Sequence, residues 1–273
     1  MAENVDQKVL DRWQRFRDGR TKALSEPLGW LSLTALHWLD EEPRAYEGVP
    51  GLWSATGRAS GGGHAALSAT ESDGLRLAGV EETGTRPVDG TITASMTEDA
   101  SLPWVTFGDV LVELAVRDDR YAIRIHDPNS PLLDEFSGVP MFEYAPEAVV
   151  EGRFVPYADP VFAEIGTALG YRTDAEFVGE VTFTLDGQEY TFPVEPDKLG
   201  SLILNFFDAT NGESTDHWRK LQITKPRPDG TVTLDFNRAI NYPSAFTDFG
   251  TCPMPLERNA ISTPVEAGEK KYR

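Results

Sequence analysis

Residues 179–195 read GEVTFTLDGQEYTFPVE. Val181, Phe183 and Leu185 alternate with threonines, Asp186-Gly187 supplies a two-residue turn, and Tyr190, Phe192 and Val194 return on the same alternation. A period of two on both sides of an Asp-Gly turn is a hairpin pattern and rules out a helix here. The same texture recurs along the chain. VLVELAVRD and RYAIRIHD, joined at Asp118-Asp119, predict a hairpin over residues 110–126. In its second strand Tyr121, Ile123 and Ile125 face one side, and Arg124 and His126 the other. TITAS adds a short strand, and SLILNFFDAT is the nearly unbroken apolar run of a strand covered on both faces. WRKLQIT and TVTLDFN, separated by the turn KPRPDG, predict a further strand pair. Short strands at this density, without regularly interleaved helices, predict a mainly β (α+β) fold. The expected form is an antiparallel β-sandwich or partly closed barrel with an N-terminal helix.

The helix is read from Val5, Val9, Trp13 and Phe16, with Asn4 as N-cap and Gly19 as the stop. SEPLGWLSLTALHWLDEEP follows as a short buried helix or two extended pieces, which periodicity does not separate. The expected organisation is an N-terminal helical segment, residues 1–44, packed on a single β-rich domain, residues 45–273. SATGRASGGGHAAL is a flexible turn region, and without Gly-Lys-Ser/Thr after its glycines it is not a phosphate loop.

The 273 residues carry 44 Asp plus Glu against 25 Lys plus Arg, a formal charge of −19. Such a chain repels nucleic acid and anionic membranes, so neither is an expected partner. No stretch reaches the ~20 apolar residues of a membrane helix, and the N-terminus lacks the pattern of a secretory signal. The expected location is the cytoplasm. Cys252 is the one cysteine, which excludes an internal disulfide and a multi-cysteine zinc site.

Polar residues gather at DFNRAINYPSAFTDFGTCPMPLERN, residues 235–259. In the preceding strand Asp235 and Asn237 share a face, with Arg238 and Asn241 just beyond. An arginine fixed beside carboxylate and amide groups suits a carboxylate or phosphate ligand, although the same residues also serve to tie down a loop. This segment resembles the C-terminal signature of the uncharacterised bacterial and archaeal family DUF1684. The resemblance extends to EPLGWLSLTALHWL, IRIHDPNSPLLDEFSGVPMFEY, FFDATNGESTDHWRKL and the closing AGEK, and so spans nearly the whole chain. It implies positions, not a reaction: Arg124, Asp127, Asp208, Thr210, Gly212, Asp235, Asn237, Asn241, Cys252, Pro253, Asn259, Glu269 and Lys270. The family pattern has cysteine where this chain has Ser244 and tyrosine where it has Asp216, so a two-cysteine metal or redox site is not required here.

Three chemistries are open. His126, Asp127, Asp208, Asp235 and Glu269 offer acid/base groups or metal ligands, without HxH, HExxH or DxDxDG spacing. Cys252 or Ser244 offers a nucleophile with His126, His217 or His37 as base, although no G-x-S-x-G elbow is present. Alternatively a small organic ligand, anionic if arginines anchor it, binds at strand ends to Arg124, Thr210, Asn237, Arg238 and Asn241. Trp30, Trp38, Tyr144, Phe246 and Phe249 are candidate aromatic walls. The binding reading is preferred, with an acid/base or metal-assisted hydrolase and a non-catalytic interaction protein as alternatives. No particular cofactor is implied.

Overall fold

The structure, a computed structural model, describes residues 5–79 and 86–273. The chain is mainly β and antiparallel, with an N-terminal helix, α1 (Gln7–Leu24). Packing divides it into two compact units, one formed by the residues through Lys22 with Ser137–Arg273, the other by Ala23–Phe136. Residues 45–273, expected as one β-rich domain, are therefore shared between the two.

The Ala23–Phe136 unit contains β1 (Leu33–Trp38), β2 (Arg44–Tyr46), β3 (Val49–Thr56), β4 (His64–Ala69), β5 (Leu75–Leu77), β6 (Gly90–Ala94), β7 (Ser101–Phe107), β8 (Val110–Arg117) and β9 (Arg120–His126). Two sheets, ordered β1-β9-β8-β7-β5 and β2-β3-β4-β6, share a core that includes Trp53, Leu67, Val112, Leu114 and Ile123. The expected β8–β9 hairpin is present, and Asp118 and Asp119 take the positive φ of its turn, +54° and +57°. The apolar run before it resolves into a 3-10 turn at Trp30–Ser32 that feeds β1. A short helix, α2 (Pro131–Glu135), follows β9.

The other unit contains β10 (Val149–Gly166), β11 (Arg172–Leu185), β12 (Gln188–Pro196), β13 (Leu202–Asp208), β14 (Arg219–Ile223), β15 (Thr231–Asp235), β16 (Ile240–Asn241) and β17 (Ala260–Ile261). Strands run β15-β10-β11-β12-β13-β14-β16, with β17 parallel to β13. The sheet curls around Phe183, Phe192, Phe206, Phe236 and Leu204 until its two ends approach. At that seam the Thr233 amide donates to Thr224 Oγ1 at 2.8 Å and the Thr224 amide to the Thr233 carbonyl at 3.3 Å. This is a partly closed barrel. The expected ladder between WRKLQIT and TVTLDFN is thereby corrected: β14 pairs with β13 and β16, β15 pairs with β10, and the two strands meet only at the seam.

Helix α1 continues through Gly19 to Leu24, past the expected stop. A mid-helix glycine weakens a helix by about 1 kcal/mol, which later contacts outweigh: Leu24 is buried and Arg20 is clamped by Glu269. Asn4, the expected cap, lies outside the described residues. Asp6 accepts the Lys8 amide at 3.0 Å instead.

Candidate functional site: a cavity along helix α1

One stripe of α1 packs on the barrel. Trp13 donates its indole N–H to the Asn237 carbonyl at 3.2 Å and meets Tyr144 edge-on, while Phe16 lies under the Arg238 guanidinium. The neighbouring stripe, Gln14, Arg17, Asp18 and Thr21, follows the i, i+3, i+4, i+7 rule and is polar. It lines a cavity of about 500 Å³ whose other walls are Ser137–Met141, Glu269 and Tyr272.

The cavity floor is rigid. Glu269 is fully buried, with its two oxygens taking Arg20 Nε at 2.8 Å and the Asn241 amide at 2.6 Å. Arg20 also donates to the Asn241 carbonyl at 2.8 Å and lies over the buried ring of Phe246, which contacts Tyr272. Arg17 differs. Its guanidinium sits 4.8 Å over the Trp13 ring, half-buried, and among the described residues it forms no ion pair. The Gln14 amide stands between the two charges beside it, accepting from Arg17 at 3.5 Å and donating to Asp18 at 2.8 Å.

Most of the other sequence candidates have structural partners. Asp208 accepts Arg219 Nη2 at 2.8 Å, the Thr210 amide at 2.9 Å, Thr210 Oγ1 at 2.5 Å, Asn211 Nδ2 at 3.3 Å and the Val265 amide at 3.2 Å. Its partner Arg219 is fully buried and also binds the carbonyls of Val265 and Ala267, so this pair fastens the C-terminal segment to β13 and β14. Burial lowers the Arg219 pKa, and the Asp208 carboxylate opposes that shift. Asn237 exchanges both amide hydrogen bonds with the backbone of Ala145, at 2.8 and 2.9 Å. Asp235 caps the short turn after β15 by accepting Asn237 N at 3.2 Å, and pairs with the more exposed Arg238 at 3.4 Å. Asn241 gives Nδ2 to the Lys270 carbonyl, and Asn259 bridges the carbonyls of Pro193 and Asn205.

The proline-bearing loop after β16 covers a polar line that sequence reasoning did not find. Tyr242 donates to Asn205 Oδ1 at 2.7 Å, and Asn205 Nδ2 donates to Glu195 at 2.6 Å. Burial pushes the Glu195 carboxyl and the Tyr242 phenol up from their ordinary values. Cys252 is buried in the same loop, and a Cβ at Gly250 would touch both its sulfur and the backbone of Ser244.

In the Ala23–Phe136 unit, Arg124 and His126 meet Glu113, another residue that sequence reasoning missed. Arg124 Nη1 lies 3.1 Å from Glu113 Oε1, and His126 Nε2 3.3 Å from Oε2. His126 Nδ1 is 3.1 Å from Ser32 Oγ, which donates to the Gly29 carbonyl at 2.6 Å. Burial acts to raise the Glu113 pKa, but hydrogen bonds from His126 and Ser101 with the charge of Arg124 prevail and hold it at about 2. Asp127 accepts from Asn129 in an Asx turn. His37 faces the Glu47 carbonyl and Tyr46, whereas His217 is exposed. Trp30 and Trp38 lie under Arg124 and Arg120. Among the described residues no three His, Cys, Asp or Glu side chains are grouped to hold a metal ion.

A family profile described as a protein of unknown function (DUF1684) matches residues 134–270, half of the chain. The chain belongs to the DUF1684 family. A solved structure is also similar: the solution NMR structure of the uncharacterized protein from gene locus rrnAC0354 of Haloarcula marismortui. It is 30% identical, over 50% of this chain and 78% of that one, with a TM-score of 0.42. No curated protein gives a significant match. The DUF1684 profile contains the Asp208–Arg219 pair, the Asn237 latch and Glu269 of the cavity floor. Arg17 and the α1 stripe lie outside it.

Proposed function

We propose that this DUF1684 protein binds a small organic ligand in the cavity along α1, with Arg17 as the anchor. The observation that carries this reading is an arginine held against Trp13 with no carboxylate partner among the described residues, at the wall of a cavity of about 500 Å³. That volume falls in the ~300–1,000 Å³ range of small-molecule sites. The lining supports it too, since Val139, Pro140, Met141 and Tyr272 supply apolar surface beside the polar stripe. The net charge of −19 supports a partner other than nucleic acid or an anionic membrane. No helix among the described residues is long and apolar enough to cross a membrane, and a cytoplasmic location is part of the proposal.

A thermal-shift screen of small metabolites on wild type and on Ser137→Trp tests it. Ser137 is exposed and lines the cavity, so an indole there adds bulk to the site without replacing a core side chain. A binder should raise the wild-type midpoint and leave the variant unmoved. Equal shifts in both proteins would place the ligand elsewhere and sink the reading.

A second reading, acid/base chemistry, is favoured by one observation: the Glu113, His126, Ser32 chain, in which a carboxylate, an imidazole and a hydroxyl follow one another within 3.3 Å per step. Ser32 is fully buried and His126 Nε2 is shut off from solvent, so half-buried Glu113 is the group that substrate would reach. On this reading Glu113→Gln abolishes turnover; turnover surviving in that variant rejects it.

A further inference from the structure

We infer that the ligand of the α1 cavity is a small zwitterion of the α-amino-acid type with an apolar side chain, an inference that rests on the binding reading above. The charges of the lining lead to this class. Arg17 and Arg20 supply two positive charges, Asp18 and Glu269 two negative, so the lining sums to zero. Arg20 and Glu269 neutralise each other at 2.8 Å, which leaves Arg17 and Asp18 as the charges open to a ligand. These two do not pair with each other. Gln14 holds them apart, one on its carbonyl oxygen and the other on its NH₂.

A dianion such as a phosphate monoester or a dicarboxylate finds a single open cation here, beside a carboxylate and in a chain of charge −19. Its second charge would be repelled. A purely cationic ligand meets Arg17 in the same way. A molecule carrying one carboxylate and one ammonium a few ångströms apart matches both: the carboxylate accepts from the planar Arg17 fork, and the ammonium donates to Asp18. Val139, Pro140, Met141 and Tyr272 remain for its side chain, with the adaptable thioether of Met141 suited to an aromatic ring.

The test is calorimetric titration of the full chain with L-phenylalanine, with 3-phenylpropanoate, which lacks the ammonium, and with 2-phenylethylamine, which lacks the carboxylate. Each is repeated on Arg17→Gln, Asp18→Asn and Ser137→Trp, with helicity checked by circular dichroism. The expected result is binding of L-phenylalanine at least tenfold tighter than either analogue. Arg17→Gln should erase the advantage over the amine, Asp18→Asn the advantage over the acid, and Ser137→Trp all binding. If 3-phenylpropanoate binds wild type as tightly as L-phenylalanine and Ser137→Trp still abolishes binding, the zwitterion inference is overturned and the cavity reading stands. If no compound binds wild type, or Ser137→Trp binds as well as wild type, the zwitterion inference is overturned together with the cavity reading for this class. The comparison of the three ligands on wild type does not depend on any variant folding.

Discussion

Replacing Asp208 with alanine removes the acceptor at the centre of a fully buried network. Five donors lose it at once: Arg219 Nη2, the amides of Thr210 and Val265, Thr210 Oγ1 and Asn211 Nδ2. Thr210 Oγ1 can turn to Thr215, 2.7 Å away, and Asn211 keeps the Asp216 carbonyl at 2.9 Å. Arg219 Nη2 keeps the Val265 carbonyl at 2.8 Å, but the guanidinium has no solvent exposure and loses its one ion pair among the described residues. Leaving one partner of a buried ion pair uncompensated costs about 3–5 kcal/mol. With a urea slope of ~2 kcal/mol/M, the midpoint of the affected transition should fall by about 1.5–2.5 M. Urea unfolding followed by far-UV circular dichroism is the assay. The double variant Asp208→Leu/Arg219→Met, which removes both charges, should recover the part of the loss that comes from the uncompensated guanidinium, while the Thr210 and Val265 amides still lack their acceptor. A midpoint change in Asp208→Ala below about 0.3 M would refute the assignment of Asp208 to the framework and return it to the ligand-binding candidates.

Other outcomes follow from the same structure. Gly19 sits mid-helix, and apart from its own stretch of helix no atom of the described residues lies within 4 Å of the place an alanine Cβ would take, so Gly19→Ala should raise stability by about 0.5–1 kcal/mol in the same urea assay. Asp235→Ala removes a cap and its Arg238 contact, and should lower stability by roughly 1–2 kcal/mol, measurable as a reduced thermal midpoint. Glu113 has a folded pKa depressed from 4.5 to about 2, so its contribution is present above pH 4.5 and is lost as pH falls toward 2. That shift corresponds to roughly 3 kcal/mol, and Glu113→Gln should flatten the acid limb of the stability profile over this window. An unchanged acid limb in the variant would rule out the folded-state pairing with Arg124 and His126.

Local pattern made the hairpins legible. Asp118-Asp119 and Asp186-Gly187 occupy turns between β8 and β9 and between β11 and β12, because residues with positive φ are concentrated in few types and the flanking alternation sets the faces. The 18-residue β10 was not legible. Pro156 and Pro160 interrupt its pattern, and both fall at the register shift between Pro156 and Val161, where the ladder to β11 is broken. The end of α1 was misplaced because Gly19 is a local signal, whereas the Arg20–Glu269 clamp joins residues 249 positions apart. Distance in sequence also hid the partners of the polar residues. Arg124, His126 and Asp208 stood out as chemistry-bearing types, but Glu113, Arg219 and Glu195 sit inside strand patterns where nothing marks a charge as buried. The α1 stripe was hidden for a different reason: Gln14, Arg17, Asp18 and Thr21 read as the solvent face of an amphipathic helix, and only the fold of Ser137–Met141 turns that face into a cavity wall.

The most direct measurement is a ¹H–¹⁵N correlation titration of the full chain with the tightest compound from the thermal-shift screen and the amino-acid panel. The account predicts that the largest shifts fall on the Gln14 side-chain amide, the Arg17 Nε–H and the Gly138 backbone amide, all at the cavity along α1. Shifts centred on Arg124 and His126, or on Tyr242 and Asn205, with α1 unmoved, would contradict it.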